Sequence, residues 1–401
     1  MMFVGVLLSL LLLHCVAETF DTKCPDHRFH TLETDETKRA ACGPAFQGRC
    51  FCHMACFEEQ YQPIVNCSDA GFVDTKPLEH IPNNTKVLIF TGNNLPVLSW
   101  NILGTQDTLP ELRIIDMSRN KIKEIRGKTF HHVKHVRRLV LDFNELSLSP
   151  AKSHPRVLSN FESLNELHLT DAFEDGAPKE LAATLHDIFV NSNLTQLTKL
   201  HLEQNEISEF RDPNVFCELP ELLHLYLGSN SLNALNFNLT CLPKLTFLDL
   251  EHNNFTRVLD HEFHALDSLV KENNHMTVDF TLNPFQCGCK LNPFVRWMNK
   301  TKVTIRNTHL LKCIKGDVFH ALNEEKNCPT KLKRVSSTST YQGSTIALWI
   351  LSVILVVLIL ALIYVQRVEL RKKLEPVIDS VSKRVRYTSI ATGELQREID
   401  V

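Results

Sequence analysis

Cysteine and histidine carry the chain's most reactive side chains, and "CFCHMACF" at 50–57 concentrates both. Cys50, Cys52, His53 and Cys56 are zinc-ligand types, but zinc sites favour cysteine pairs with a second pair farther along. The chain holds 13 cysteines, and Cys15 lies in an apolar leader. The remaining twelve, from Cys24 to Cys328, form an even set, which in an oxidising compartment predicts disulfides. Pairing among Cys24, Cys42, Cys50, Cys52, Cys56 and Cys67 stays open. Of three connectivities for the last four, Cys287–Cys313 with Cys289–Cys328 is expected. Cys217 and Cys241, 24 residues apart, are expected to bridge adjacent coils. His168, His201 and His224 are three of 19 histidines, too common for their spacing to indicate a metal. No metal or cofactor is expected. The sequence contains no G-x-S-x-G, Walker loop or H-E-x-x-H, so no enzyme is expected either.

Two apolar runs frame these residues. "MMFVGVLLSLLLLHCVA" reads as a signal peptide, 1–17, although its start lacks a Lys or Arg. "TIALWILSVILVVLILALIYV", 345–365, carries no charge and is long enough to span a bilayer. Trp349 and Tyr364 suit its interfaces, and Arg367, Arg371, Lys372 and Lys373 follow at once. Lys331, Lys333 and Arg334 on the other side lie farther from the run. These features predict a single-pass type I protein of the plasma membrane, with its N-terminus outside. Six sequons, at Asn66, Asn83, Asn193, Asn238, Asn254 and Asn299, lie on that side. A net charge of −3 gives no case for nucleic acid as a partner.

Between the cysteine clusters one pattern recurs. "LTKLHLEQNEI" places Leu197, Leu200, Leu202, Asn205 and Ile207 at offsets repeated by "LRIIDMSRNKI", "VRRLVLDFNEL", "LLHLYLGSNSL" and "LTFLDLEHNNF". Leu88, Phe90, Asn93 and Leu95 form a first copy, and Val278, Phe280 and Asn283 a last one. This is L-x-x-L-x-L-x-x-N-x-L, the leucine-rich repeat. Its leucines form a shared core, and its asparagine supplies a donor and an acceptor for the backbone of neighbouring coils. The predicted fold is an α/β solenoid with parallel strands on its concave face and disulfide-rich caps. Its expected divisions are an N-terminal cap at 24–84, repeats at 85–282, a C-terminal cap at 283–329, a stalk at 330–344 and a tail at 366–401. One unit departs: Ala172 replaces the asparagine, and Asn205 comes 33 residues later. Pro178, Leu181, Leu185, Ile188 and Phe189 predict a helix there. It is either an insertion around 172–195 packed on the solenoid or the helical back of one long repeat.

Alternate strand residues face outward. One column reads Asp116, Val140, His168, His201, Tyr226 and Asp249; its neighbour includes Arg138, Glu166, Lys199, His224 and Phe247. Asp142, Glu203 and Glu251 stand in the next column. Aromatic, imidazole and acidic groups gather toward the C-terminal half, making Tyr226, Phe247, His201, His224 and Asp249 the expected contacts for a protein partner. At the other end of the chain, Ile399, Asp400 and Val401 form a C-terminus suited to a cytoplasmic PDZ domain.

The whole resembles the trophoblast glycoprotein (Wnt-activated inhibitory factor) family of leucine-rich-repeat single-pass membrane proteins, over about 42–401. The residues that carry the resemblance are the first cap running into "VLIFTGNNL", the interrupted unit "ELHLTDAFED…LTKLHLEQN", the cap "DFTLNPFQCGC", the single span and the terminal Asp400-Val401. It implies a glycosylated surface protein that lowers β-catenin-dependent Wnt signalling at the co-receptor, with an influence on cell motility. Cys24, the Cys217/Cys241 pair and Ile399 depart from the family pattern. The same scaffold also serves adhesion and guidance receptors that bind a ligand on another cell.

Overall fold

The computed structural model describes residues 24, 34–105, 107–147, 156–175, 178–272, 275–326, 328 and 348–368. The leader, the stalk, most of the tail and the Ile399–Val401 terminus lie outside the described residues, as do 345–347 at the start of the expected span. Two units are present, 1–328 and 329–401. In the second, one helix, Leu348–Val368, is long and apolar enough to cross a membrane, with a mean hydropathy of 3.1.

The first unit is built on one sheet of eleven strands lying in chain order. A hairpin, β1 (Phe51–Phe57) and β2 (Gln60–Asn66), opens it as an antiparallel pair. Nine short strands follow in parallel: β3 (Val87–Ile89), β4 (Ile114–Asp116), β5 (Arg138–Val140), β6 (Glu166–His168), β7 (Lys199–His201), β8 (His224–Tyr226), β9 (Phe247–Asp249), β10 (Thr277–Asp279) and β11 (Thr304–Ile305). From β4 to β9 each strand buries its central residue and leaves the flanking two half-exposed. Leu200, Leu225 and Leu248 are wholly buried, each contributing about 1.5–3 kcal/mol. Behind them phenylalanines fill the wider arm of each coil, as where Phe216 packs 5.1 Å from Phe210 and 5.2 Å from Phe237.

The asparagines run through this core as a ladder. Asn230 Oδ1 accepts from the amides of Asn205 and Ile207, both at 3.0 Å, while its Nδ2 donates to Leu202 O at 2.9 Å and to Leu227 O at 3.0 Å. Asn93, Asn120, Asn144, Asn205, Asn253 and Asn283 each bond the preceding coil through Oδ1 and Nδ2 in the same way. The residue before each asparagine has a positive φ, whether it is Gly92, Arg119, Phe143, Gln204, Ser229, His252 or Leu282. Outside glycine that conformation costs of order 1–3 kcal/mol, and the ladder on either side holds it in place. At Ala172 the side-chain rung is missing, and the backbone bond from Leu146 N to Ala172 O at 2.8 Å, matched by Leu95 N to Asn120 O at an intact rung, remains.

Beyond the short α1 (Asp35–Ala40) of the first cap, two coils return through helices. α2 (Pro178–Val190) buries Leu181, Leu185, Ile188 and Phe189 in the common core, while β6 and β7 on either side of it pair directly. It is therefore the back of one long repeat rather than a layer added to the outside. α3 (Asp260–Glu272), which the sequence reading did not assign, does the same before β10. Its Glu262, 2% exposed, takes the ladder's role on the convex side by accepting the Leu235 amide at 2.6 Å. Asp267 then receives Trp297 Nε1 at 3.0 Å, tying the C-terminal cap to the last coil.

Disulfides close both ends. Cys24 joins Cys56, Cys42 joins Cys52 and Cys50 joins Cys67 in the first cap. Cys287 joins Cys313 and Cys289 joins Cys328 in the last. Cys217 and Cys241 link successive coils. With Cys50, Cys52 and Cys56 all bonded to sulfur, the 50–57 stretch has no thiolate left for zinc.

The ladder makes a definite forecast. Asn230→Ala strands two buried amides, so it should lower the unfolding free energy of the 1–328 unit by about 2–5 kcal/mol. Asn233→Ala, at an exposed position, should change it by less than about 0.5 kcal/mol. Urea titration of both variants measures the difference, and equal midpoints would remove the asparagine from its structural role.

Candidate functional site

The exposed side of the sheet divides into two halves of different character. Toward the N-terminus, side chains neutralise one another. Arg138 on β5 donates to Glu166 on β6 at 2.5 Å and also to Glu58 in the turn between β1 and β2. Lys199 on β7 donates to the other Glu166 oxygen at 2.7 Å. The Glu166 carboxyl is held far below the usual carboxylate range. His168 favours its charged form from 3.7 Å, too long for a hydrogen bond, and the shorter contacts from Arg138 and Lys199 do so more directly. Burial pulls on Arg138 the other way, but its two carboxylate bonds raise its pKa.

Toward the C-terminus the face is made of rings. In-register pairing sets His168 against His201 and His201 against Tyr226. Their planes stack, with centroids 4.1 Å and then 4.0 Å apart. Phe247 extends the row 5.4 Å from Tyr226, and His224 meets Tyr226 and Phe247 edge-on at 6.2 and 6.1 Å. Tyr226, Phe247, His201, His224 and Asp249 thus lie on one continuous surface. His168 Nε2 and His224 Nδ1 have no hydrogen-bond partner among the described residues.

Carboxylates border the rings. Glu203 Oε1 accepts from His201 Nδ1 at 3.0 Å. Burial pushes the Asp249 carboxyl up to about 6, reinforced by Asp279, Glu251 and Glu203 and opposed by the Glu251 amide that donates to it. Burial likewise raises Asp142 and the Tyr226 phenol, and it lowers His224. Beyond Phe247, Arg306 lies with its guanidinium 5.8 Å from the ring centroid and 3.7 Å from Asp279. The sequence reading missed Arg306 and Asp279, since only the β10–β11 register brings them to this face.

Among the described residues no cluster of His, Cys, Asp or Glu could hold a metal ion. The six sequon asparagines all reach the surface: Asn83, Asn193, Asn254 and Asn299 are exposed, and Asn66 and Asn238 half-buried. Asn66 and Asn238 also bond the hydroxyls of Ser68 and Thr240, at 2.8 and 2.6 Å.

Two substitutions on this face should act with opposite signs. Asp249 is raised in the fold, so its stabilising share is present below its unfolded value near 4 and lost as pH rises through about 6. Asp249→Asn should therefore raise Tm at pH 7.4, with the gain vanishing by about pH 4. Glu166 is depressed, so its share is present at neutral pH and lost in acid. Glu166→Gln should lower Tm at pH 7.4, the deficit shrinking as pH falls below about 4. Calorimetry across this range checks both, and matching slopes would contradict the assignment.

Comparison with known proteins agrees with this architecture. The leucine rich repeat family matches residues 83–146, 110–171 and 195–255, leaving out the segment that contains α2. Trophoblast glycoprotein of Macaca fascicularis is 26% identical over 260 residues, covering 63% of this chain and 60% of that protein's length. Biglycan of Sus scrofa is 30% identical over 224 residues, 50% of this chain and 80% of the relative. The crystal structure of human trophoblast glycoprotein (Wnt-activated inhibitory factor 1) superposes with a TM-score of 0.56 at 24% identity, over 65% of this chain and 92% of that one, a likeness of fold. The chain belongs to the leucine-rich-repeat family, and within it is similar to trophoblast glycoprotein.

Proposed function

We propose that this chain is a type I plasma-membrane glycoprotein that binds a protein partner through the ring-lined half of its sheet and thereby lowers Wnt/β-catenin signalling at the co-receptor. The observation that carries the binding reading is the row His168, His201, Tyr226 and Phe247, four rings held side by side on half-exposed strand positions. Aromatic side chains fixed in advance lose little freedom on association, so contact area converts into affinity more fully. Action is by binding rather than catalysis, because an open sheet face presents breadth instead of an enclosed reaction site. The Wnt component rests on the similarity to trophoblast glycoprotein, whose solved human relative bears the name Wnt-activated inhibitory factor 1. The proposed domain limits follow the same scheme, with a leader at 1–17, repeats at 85–282 between the caps, and a PDZ contact at Val401.

A β-catenin reporter in cells expressing the full chain tests this. Suppression by the wild type is expected, falling at least about fivefold when Tyr226→Ala and Phe247→Ala are combined while surface display stays constant. Cell clustering without any change in the reporter would favour an adhesion receptor instead.

A further inference from the structure

The ring-lined half of the sheet is markedly acidic along the border of its aromatic row. On that border stand the half-buried Asp142, Glu203, Asp249 and Glu251, with Asp279 buried beneath, and Arg306, still 57% exposed, lies with its guanidinium over Phe247 and beside Asp279. The basic groups farther back, Arg138 and Lys199, are already engaged by Glu166 and Glu58. Arg306 therefore displays the chemistry this surface accepts: a cation over a ring face, with a carboxylate at its edge. Tyr226, one rung back, stacks one ring face on His201 and pairs in register with Asp249, and the cation that acts on it, Lys199, is already engaged by Glu166.

We infer that Tyr226, with Glu203 and Asp249, receives a lysine or arginine side chain from an extracellular protein partner, and that acidification releases it. This rests on the reading of the face as a protein interface and adds the charge of what binds there. The titratable and charged groups around Tyr226 and Asp249 come from four strands and the residue after β11. From β8 and β7 come His224, His201, Lys199 and Glu203; from β9 and β10 come Glu251 and Asp279; Arg306 follows β11. Protons taken up by the carboxylates remove attraction, and protons taken up by the imidazoles add repulsion. The elevated Asp249 carboxyl places part of this change between pH 7 and pH 5.

The test uses the full chain in lipid nanodiscs and two fluorescent probe peptides, one alternating Lys and Gly, the other Glu and Gly. Anisotropy should show the lysine probe binding at pH 7.4 and about tenfold more weakly at pH 5.0, with the glutamate probe inert. Asp249→Asn should bind the lysine probe weakly at both pH values. Glu218→Gln, an exposed position on the return arm of the coil, should match the wild type. The inference is overturned by equal binding of both probes, by no lysine-probe binding up to about 1 mM, or by Asp249→Asn that keeps both affinity and pH dependence. Proximity labelling of cell-surface partners separates the two readings. If Tyr226→Ala with Phe247→Ala abolishes capture while the probes show no preference for charge, the interface stands and its cationic partner falls. If capture is unchanged by that pair, the interface reading itself fails.

Discussion

Everything in the 1–328 unit depends on how a buried turn satisfies its backbone. A coil that folds back on itself inside a solenoid buries amides and carbonyls that no strand pairing can reach, and each left alone costs about 1–3 kcal/mol. One asparagine per coil meets that demand with its acceptor aimed at the amides of the preceding turn and its donor at that turn's carbonyls. The same bonds fix a left-handed backbone at the residue before it, so that Phe143 and Leu282 hold a conformation usually left to glycine. Leucine burial drives the coils together, but it has no direction. The amide ladder gives the stack its register.

Register is also what makes the ring-lined face. Neighbouring parallel strands lie about 4.8 Å apart, so equivalent residues of successive repeats stand side by side. Place a flat ring at that position in three consecutive coils, and the rings stack without further instruction, as His168, His201 and Tyr226 do. A slip of one residue in β7 would send His201 into the core and Leu200 to the surface. The ladder that holds the coils in register therefore also holds the aromatic row.

Much of this was legible in the primary structure because each repeat restates it. The leucines and asparagines recur at fixed offsets, and the outward columns follow from alternation alone. Other features lacked such a signal. The left-handed residue before each asparagine is Gly, Arg, Phe, Gln, Ser, His or Leu, a position defined by conformation and not by residue type. α3 was not assigned, although Phe263, Leu266 and Leu269 carry a helical spacing like that which exposed α2. The Arg138–Glu58 pair joins residues 80 apart, through a hairpin whose position against β5 no local pattern encodes. The first-cap pairings carry no local signal either, since spacing cannot say which side of a hairpin each sulfur faces.

The ladder's part in this architecture is tested most directly by amide hydrogen exchange. In the native protein the Asn205 and Ile207 amides should be protected at least about 10⁴-fold. In Asn230→Ala both should lose most of that protection, while the Leu200 amide, in strand β7 of the same coil, keeps its own. Undiminished protection at Asn205 and Ile207 would show that something other than the asparagine amide holds the turns, and would contradict the account.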